Sequence, residues 1–134
     1  MRNYWFVPTK WTYYNIMASI KDNDGMADWS MPGKHFEVGD IVFIYLTKPY
    51  QCIRYKMEVI EKDIPKSKTL QRPEYSDAPV KFMEGDKTYF RFKLIEEYPV
   101  NKFTLSELRK HGLAMPRQIM HIKKEELMHF LGIE

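Results

Sequence analysis

One cysteine, Cys52, stands in the 134-residue chain, so no internal disulfide is available and the fold cannot depend on oxidation. That points to a reducing compartment, and the cytoplasm is the expected location. Long apolar runs are also missing. The opening Met1 to Pro8 is too short for a signal-peptide core, and nothing later approaches the about 18 uninterrupted apolar residues of a membrane span. No glycine-rich phosphate loop and no serine nucleophile elbow occurs, and Cys52 has no recognisable histidine partner. The four histidines, His35, His111, His121 and His129, share no zinc-type spacing. Asp22-Asn23-Asp24-Gly25 imitates the start of a calcium loop, but Met26 stands where the third ligand belongs, so the segment reads as a turn. Glu96-Glu97 and Glu125-Glu126 read as solvated or helix-start acids rather than an acid–base pair. No catalytic residue, metal or cofactor is therefore assigned, and the expected activity is binding.

What is present is a hydrophobic content of 44% and an aromatic content of 15%, in a chain sized for a single domain. Most of nine Tyr, eight Phe and three Trp must be core, which leaves a minority for a binding pocket. The net charge of +3 is too small to announce a nucleic-acid binder by itself. Its distribution is uneven: Lys48 to Arg72 holds seven bases against three acids, a local surplus of four positive charges. A basic patch and an ordinary solvated strand face both fit that surplus.

The pattern along the chain predicts an α+β fold whose strands curl into a small barrel flanked by short helices. A first strand covers Asn3 to Val7 and stops at Pro8, and a first helix covers Asn15 to Lys21 before the Asn23-Asp24-Gly25 turn. Ile41 to Leu46 is a continuous apolar run, the mark of a strand covered on both faces. After Pro49-Tyr50, Ile53, Tyr55, Met57 and Val59 alternate with charged residues and are expected on one inward face. Residues 62 to 85 read as irregular and poorly ordered, and Asp86 opens a strand with Phe90, Phe92 and Leu94 on one side. Thr104 and Glu107 have capping-box spacing, with Gly112 closing that helix. A last strand is expected at Gln118 to Ile122, and a final helix from Lys124 to the stop at Gly132.

Aromatics at turns are the remaining signal. Trp29 lies in a loop from Asp28 to Lys34, Tyr50 follows Pro49 past the central strand, and Trp11 follows the first strand. Loops on a rigid sheet concentrate binding residues, and a flat base gains roughly 1–3 kcal/mol from each stacking contact. Core lids remain the other reading of the same rings.

Asp28-Trp29-Ser30, Phe36 to Tyr45 and Pro49 to Val59 together resemble an EVE domain, a member of the PUA-like superfamily that also holds the YTH readers of methylated adenine. The likeness is nearest to EVE-like domains of bacterial HNH and modification-dependent restriction proteins, and Asn3 to Pro8 and Gly112 to Arg117 extend it over the chain. The resemblance implies a reader of a methylated or hydroxymethylated base, in DNA or RNA, flipped into an aromatic pocket. It implies Trp29 as the main ring, Asp28 and Ser30 beside the base edge, Pro49 and Tyr50 as the facing wall and Trp11 as a further ring. Lys34, Lys48, Arg54 and Arg117 would contact phosphate. No nuclease motif occurs in the sequence, so any cleavage would come from a partner or from a part of the protein outside this sequence. The alternative is a PUA-like RNA-binding or small-ligand domain without preference for a modified base.

Overall fold

The computed structural model describes residues 2–9, 15–30, 36–70, 75, 88–114 and 116–133. Along the chain run β1 (Tyr4–Thr9), α1 (Ile16–Asp22), β2 (Met26–Trp29), β3 (Ile41–Leu46) and β4 (Cys52–Pro65). A 3-10 turn at Lys66–Lys68 follows, then β5 (Thr88–Glu97), α2 (Leu105–Lys110), β6 (Met120–His121) and α3 (Glu125–Phe130). The strands form one six-stranded mixed sheet in the order β2-β5-β4-β3-β1-β6, in which only β1 and β3 run parallel.

The apolar run is the centre of the molecule, as its composition predicts. All six residues of β3 are at most 2% exposed. Ile41, Phe43 and Tyr45 pack with Leu108 of α2 and Leu127 of α3, while Val42, Ile44 and Leu46 pack with Ile16 of α1, Phe36 and Phe92. Each face thus has its own core, and each buried aliphatic or aromatic side chain contributes roughly 1.5–3 kcal/mol.

Several local expectations need correction. β1 does not stop at Pro8 but continues to Thr9, with Pro8 in register with Tyr45. β6 pairs only with Trp5 and Phe6, so beyond them β1 is an edge, where a residue without an N–H is tolerated. The expected last strand at Gln118 to Ile122 shrinks to Met120–His121. The stretch expected to be irregular from residue 62 still belongs to β4 as far as Pro65, followed by the 3-10 turn. Tyr75 beyond it is 3% exposed, and its hydroxyl donates to Asp22 Oδ2 at 3.0 Å; the rest of 71–85 lies outside the described residues, as does Asp86.

β4 departs further from its expected alternation. Ile53, Tyr55, Met57 and Val59 are all buried, but not on one face: Ile53 belongs to the core under α2 and α3, and the other three to the opposite one. Tyr45 pairs with Ile53 and Ile44 with Tyr55, which leaves Arg54 as the extra residue of a bulge. One unpaired residue reverses the alternation. The carbonyl of Arg54 accepts from Tyr98 N at 2.8 Å, and its guanidinium donates to the Tyr98 carbonyl and pairs with Glu97 at 3.3 Å.

Both C-terminal helices end as their glycines predict. Gly112 (φ 105°) and Gly132 (φ 80°) take the left-handed conformation, and Leu113 N and Ile133 N donate back to the carbonyls of Leu108 and Met128 at 3.0 and 2.9 Å. This closure puts Leu113 and Ile133 into the core. Thr104 caps α2, its hydroxyl accepting from Glu107 N at 3.3 Å, while the Glu107 carboxylate pairs with Lys110. Thr104→Ala should lower stability by about 1 kcal/mol in urea unfolding.

Candidate nucleic-acid interface

Trp29 is the last residue of β2, not the middle of a loop, and it pairs in register with Phe90 of β5. Its ring is partly buried and stacks on Phe92 at 5.8 Å and 29°. Tyr50, at the end of the 47–50 turn, is also partly buried and packs against the same core cluster as Trp29. It lies near enough to the Tyr55 phenol to weigh on its ionisation, although burial is the main cause that pushes Tyr55 up to about 12. The sheet therefore brings Trp29 and Tyr50 to one face and leaves each incompletely covered.

Asp28 has a different position from its neighbour. Strand alternation turns it to the opposite face, where it is 0% exposed. Its Oδ1 accepts from Arg91 Nε at 2.8 Å, and its Oδ2 from Arg91 Nη2 at 3.1 Å, Thr69 Oγ1 at 2.9 Å and Leu70 N at 2.8 Å. Four donors thus converge on this one carboxylate. The bond to Asp28 holds the Arg91 guanidinium still more firmly protonated than usual. Asp28 thus fastens residues 69 and 70 to β2 on the face opposite Trp29. Arg91 Nη2 also donates to the Lys68 carbonyl at 3.2 Å, which brings the exposed Lys68 to the same region. Sequence reasoning missed Lys68 and Arg91, because the only available signal was a surplus of bases with no indication of where the chain returns.

Ser30 is partly buried just past β2, and Lys48 and Pro49 are exposed in the turn that carries Tyr50. Arg54 is committed to Glu97 and Tyr98, and its guanidinium lies over the Tyr55 ring at 5.8 Å. Arg117 is exposed in the turn before β6. Trp11 and Lys34 lie outside the described residues.

The other tryptophan described, Trp5, has a structural setting. Its Nε1 donates to Asp40 Oδ2 at 3.0 Å, and its ring stacks on His121 at 4.9 Å and 19°. Asp40, 1% exposed, also accepts from Asn3 N at 3.1 Å and Glu37 N at 3.0 Å, so it locks the turn before β3 to the start of β1. Cys52 is a buried free thiol whose pKa burial pushes up, the opposite of an activated nucleophile. Among the described residues no group of three or more His, Cys, Asp or Glu is arranged to hold a metal, and no helix is long and apolar enough to cross a membrane.

No family model matches the chain, and no curated protein matches it. Solved structures do. It is similar to ASCH from Zymomonas mobilis at 13% identity and a TM-score of 0.65, over 98% of this chain and 96% of that one. Protein Rpa0253 from Rhodopseudomonas palustris is similar at 14% identity and a TM-score of 0.62, over 97% and 91%. Protein Atu2648 from Agrobacterium tumefaciens is similar at 10% identity and a TM-score of 0.60, over 96% and 90%. At such identities the likeness is one of fold: the chain has the PUA-like architecture, which ASCH and EVE domains have in common, and the likeness does not single out the EVE family.

Proposed function

We propose that the protein is a cytoplasmic nucleic-acid-binding module that does not catalyse, and that it receives a modified base against Trp29 and Tyr50, as the EVE resemblance implies. The observation that carries this reading is the incomplete burial of both rings at the border of one apolar cluster on one sheet face. A methyl group on a base adds apolar area there at little polar cost, and that is the physical source of a preference for the modified form. Lys48 and Lys68 are the exposed cations we assign to phosphate, where they position a strand without reading its sequence. A nuclease acting with it would be a partner or a further part of the same protein.

The second reading is a PUA-like module that takes unmodified RNA, and the likeness to ASCH supports it equally. Binding of oligonucleotides identical except for one methylated or hydroxymethylated base separates the two. The modified-base reading expects tighter binding of the modified form and loss of that preference in Trp29→Ala, with roughly tenfold to hundredfold weaker binding from the lost stack. Equal affinity for both forms, with Trp29→Ala weakening both, favours the RNA-binding reading.

A further inference from the structure

Thr9 ends β1, is 3% exposed, and its Oγ1 is the one buried side-chain polar atom among the described residues that lacks a hydrogen-bond partner. Buried hydroxyls are nearly always paired, so an exception asks for a cause. Its backbone is satisfied normally, since the Thr9 carbonyl accepts from Thr47 N at 3.1 Å. Only the side chain is left over. A valine would fill the same β-branched volume without leaving a polar atom unpaired.

The face on which the Thr9 side chain lies follows from strand alternation. Val7, two residues earlier in β1, packs in the cluster that Trp29 and Tyr50 border, and Leu46, the register partner of Thr9, belongs to the same cluster. Thr47, which bonds the Thr9 carbonyl, begins the turn that ends in Tyr50. The Thr9 side chain therefore lies on the face of Tyr50 and at the same end of the sheet, with its hydroxyl buried and unpaired.

We infer that Thr9 Oγ1 is a specificity-determining contact, completed by a polar edge of the bound ligand, and that the ligand is a nucleobase carrying a ring-edge nitrogen or carbonyl. A hydroxyl both donates and accepts, so it serves either group. The inference rests on the base-binding reading of Trp29 and Tyr50 and adds a polar requirement to their apolar one.

The test measures binding of oligonucleotides with one variable position: 5-methylcytosine, N6-methyladenine, or difluorotoluene, which copies a pyrimidine's shape without a hydrogen-bonding edge. Wild type should bind its preferred methylated base about tenfold tighter than the difluorotoluene isostere. Thr9→Val should lose that discrimination with no fall in melting temperature, and Thr9→Ser should retain it. If Thr9→Val discriminates like wild type while Trp29→Ala weakens binding, the Thr9 contact is refuted and the base-binding reading stands. If Trp29→Ala leaves binding unchanged, that reading fails and the Thr9 contact fails with it. A lowered melting temperature in Thr9→Val would make the hydroxyl structural and overturn the inference. So would a wild type that binds the isostere as well as the base, a comparison that needs no variant.

Discussion

Arg91→Met is expected to destabilise the protein by roughly 3–5 kcal/mol in urea unfolding at neutral pH, because it removes one partner of a buried ion pair. Asp28 would remain wholly buried with its charge, and Oδ1 would lose the Arg91 Nε bond that occupies it. A methionine fills the space of arginine's aliphatic stem, so the loss measures mainly the broken ion pair. Adding Asp28→Asn removes that charge, and the double variant should recover part of the loss. Against a typical total stability of about 5–15 kcal/mol, the single substitution is severe. It should also weaken oligonucleotide binding, since Thr69, Leu70 and the Lys68 carbonyl are all held through Asp28 or Arg91. A loss below about 1 kcal/mol would mean that the pair contributes no more than an exposed one.

The second large effect lies at alkaline pH. Burial, reinforced by Glu97 at one and Glu96 at the other, pushes the phenols of Tyr55 and Tyr98 up to about 12. An unfolded chain ionises them near 10.0. Below that pH both states hold the protons, and the stabilising effect of the neutral phenols is fully present. Between pH 10 and about 12 the unfolded chain releases protons that the folded one retains, so stability falls as pH rises. Carried from pH 10 to about 12, the difference amounts to roughly 3 kcal/mol for each tyrosine. Melting temperature followed from pH 8 to 12 should fall steeply above pH 10, and the Tyr55→Phe, Tyr98→Phe double variant should flatten that fall. Phenolate absorbance should show two fewer late-titrating groups in the double variant, while Tyr45 and Tyr89, which burial also pushes up, remain. An unchanged alkaline slope there would assign the loss to other groups.

These effects also mark what can be read from the sequence. β3 was legible because six consecutive apolar residues have no use on a strand with a wet face. Thr104, Gly112 and Gly132 were legible because helix ends need a side-chain acceptor or a left-handed residue within a few positions. The Arg54 bulge was not, since alternation continues unbroken through Ile53, Arg54 and Tyr55 and only the partner strand reveals the extra residue. Neither was the extension of β1 through Pro8, which depends on how short β6 is. The site divides in the same way. Trp29 and Tyr50 stood out as candidate rings, but their common face depends on the strand order β2-β5-β4-β3. Asp28 and Arg91 are 63 residues apart, and no local pattern pairs them. An unpaired Thr9 hydroxyl can be recognised only when every neighbouring donor and acceptor has been placed.

A base that settles against Trp29 is reported directly by the indole N–H signals of the labelled protein. During titration with an oligonucleotide carrying one methylated base, the Trp29 indole signal should move progressively to saturation. The Trp5 signal, held by the bond to Asp40, should stay nearly fixed. A Trp29 signal that does not move while the oligonucleotide binds would place the ligand elsewhere and rule out a base on that ring.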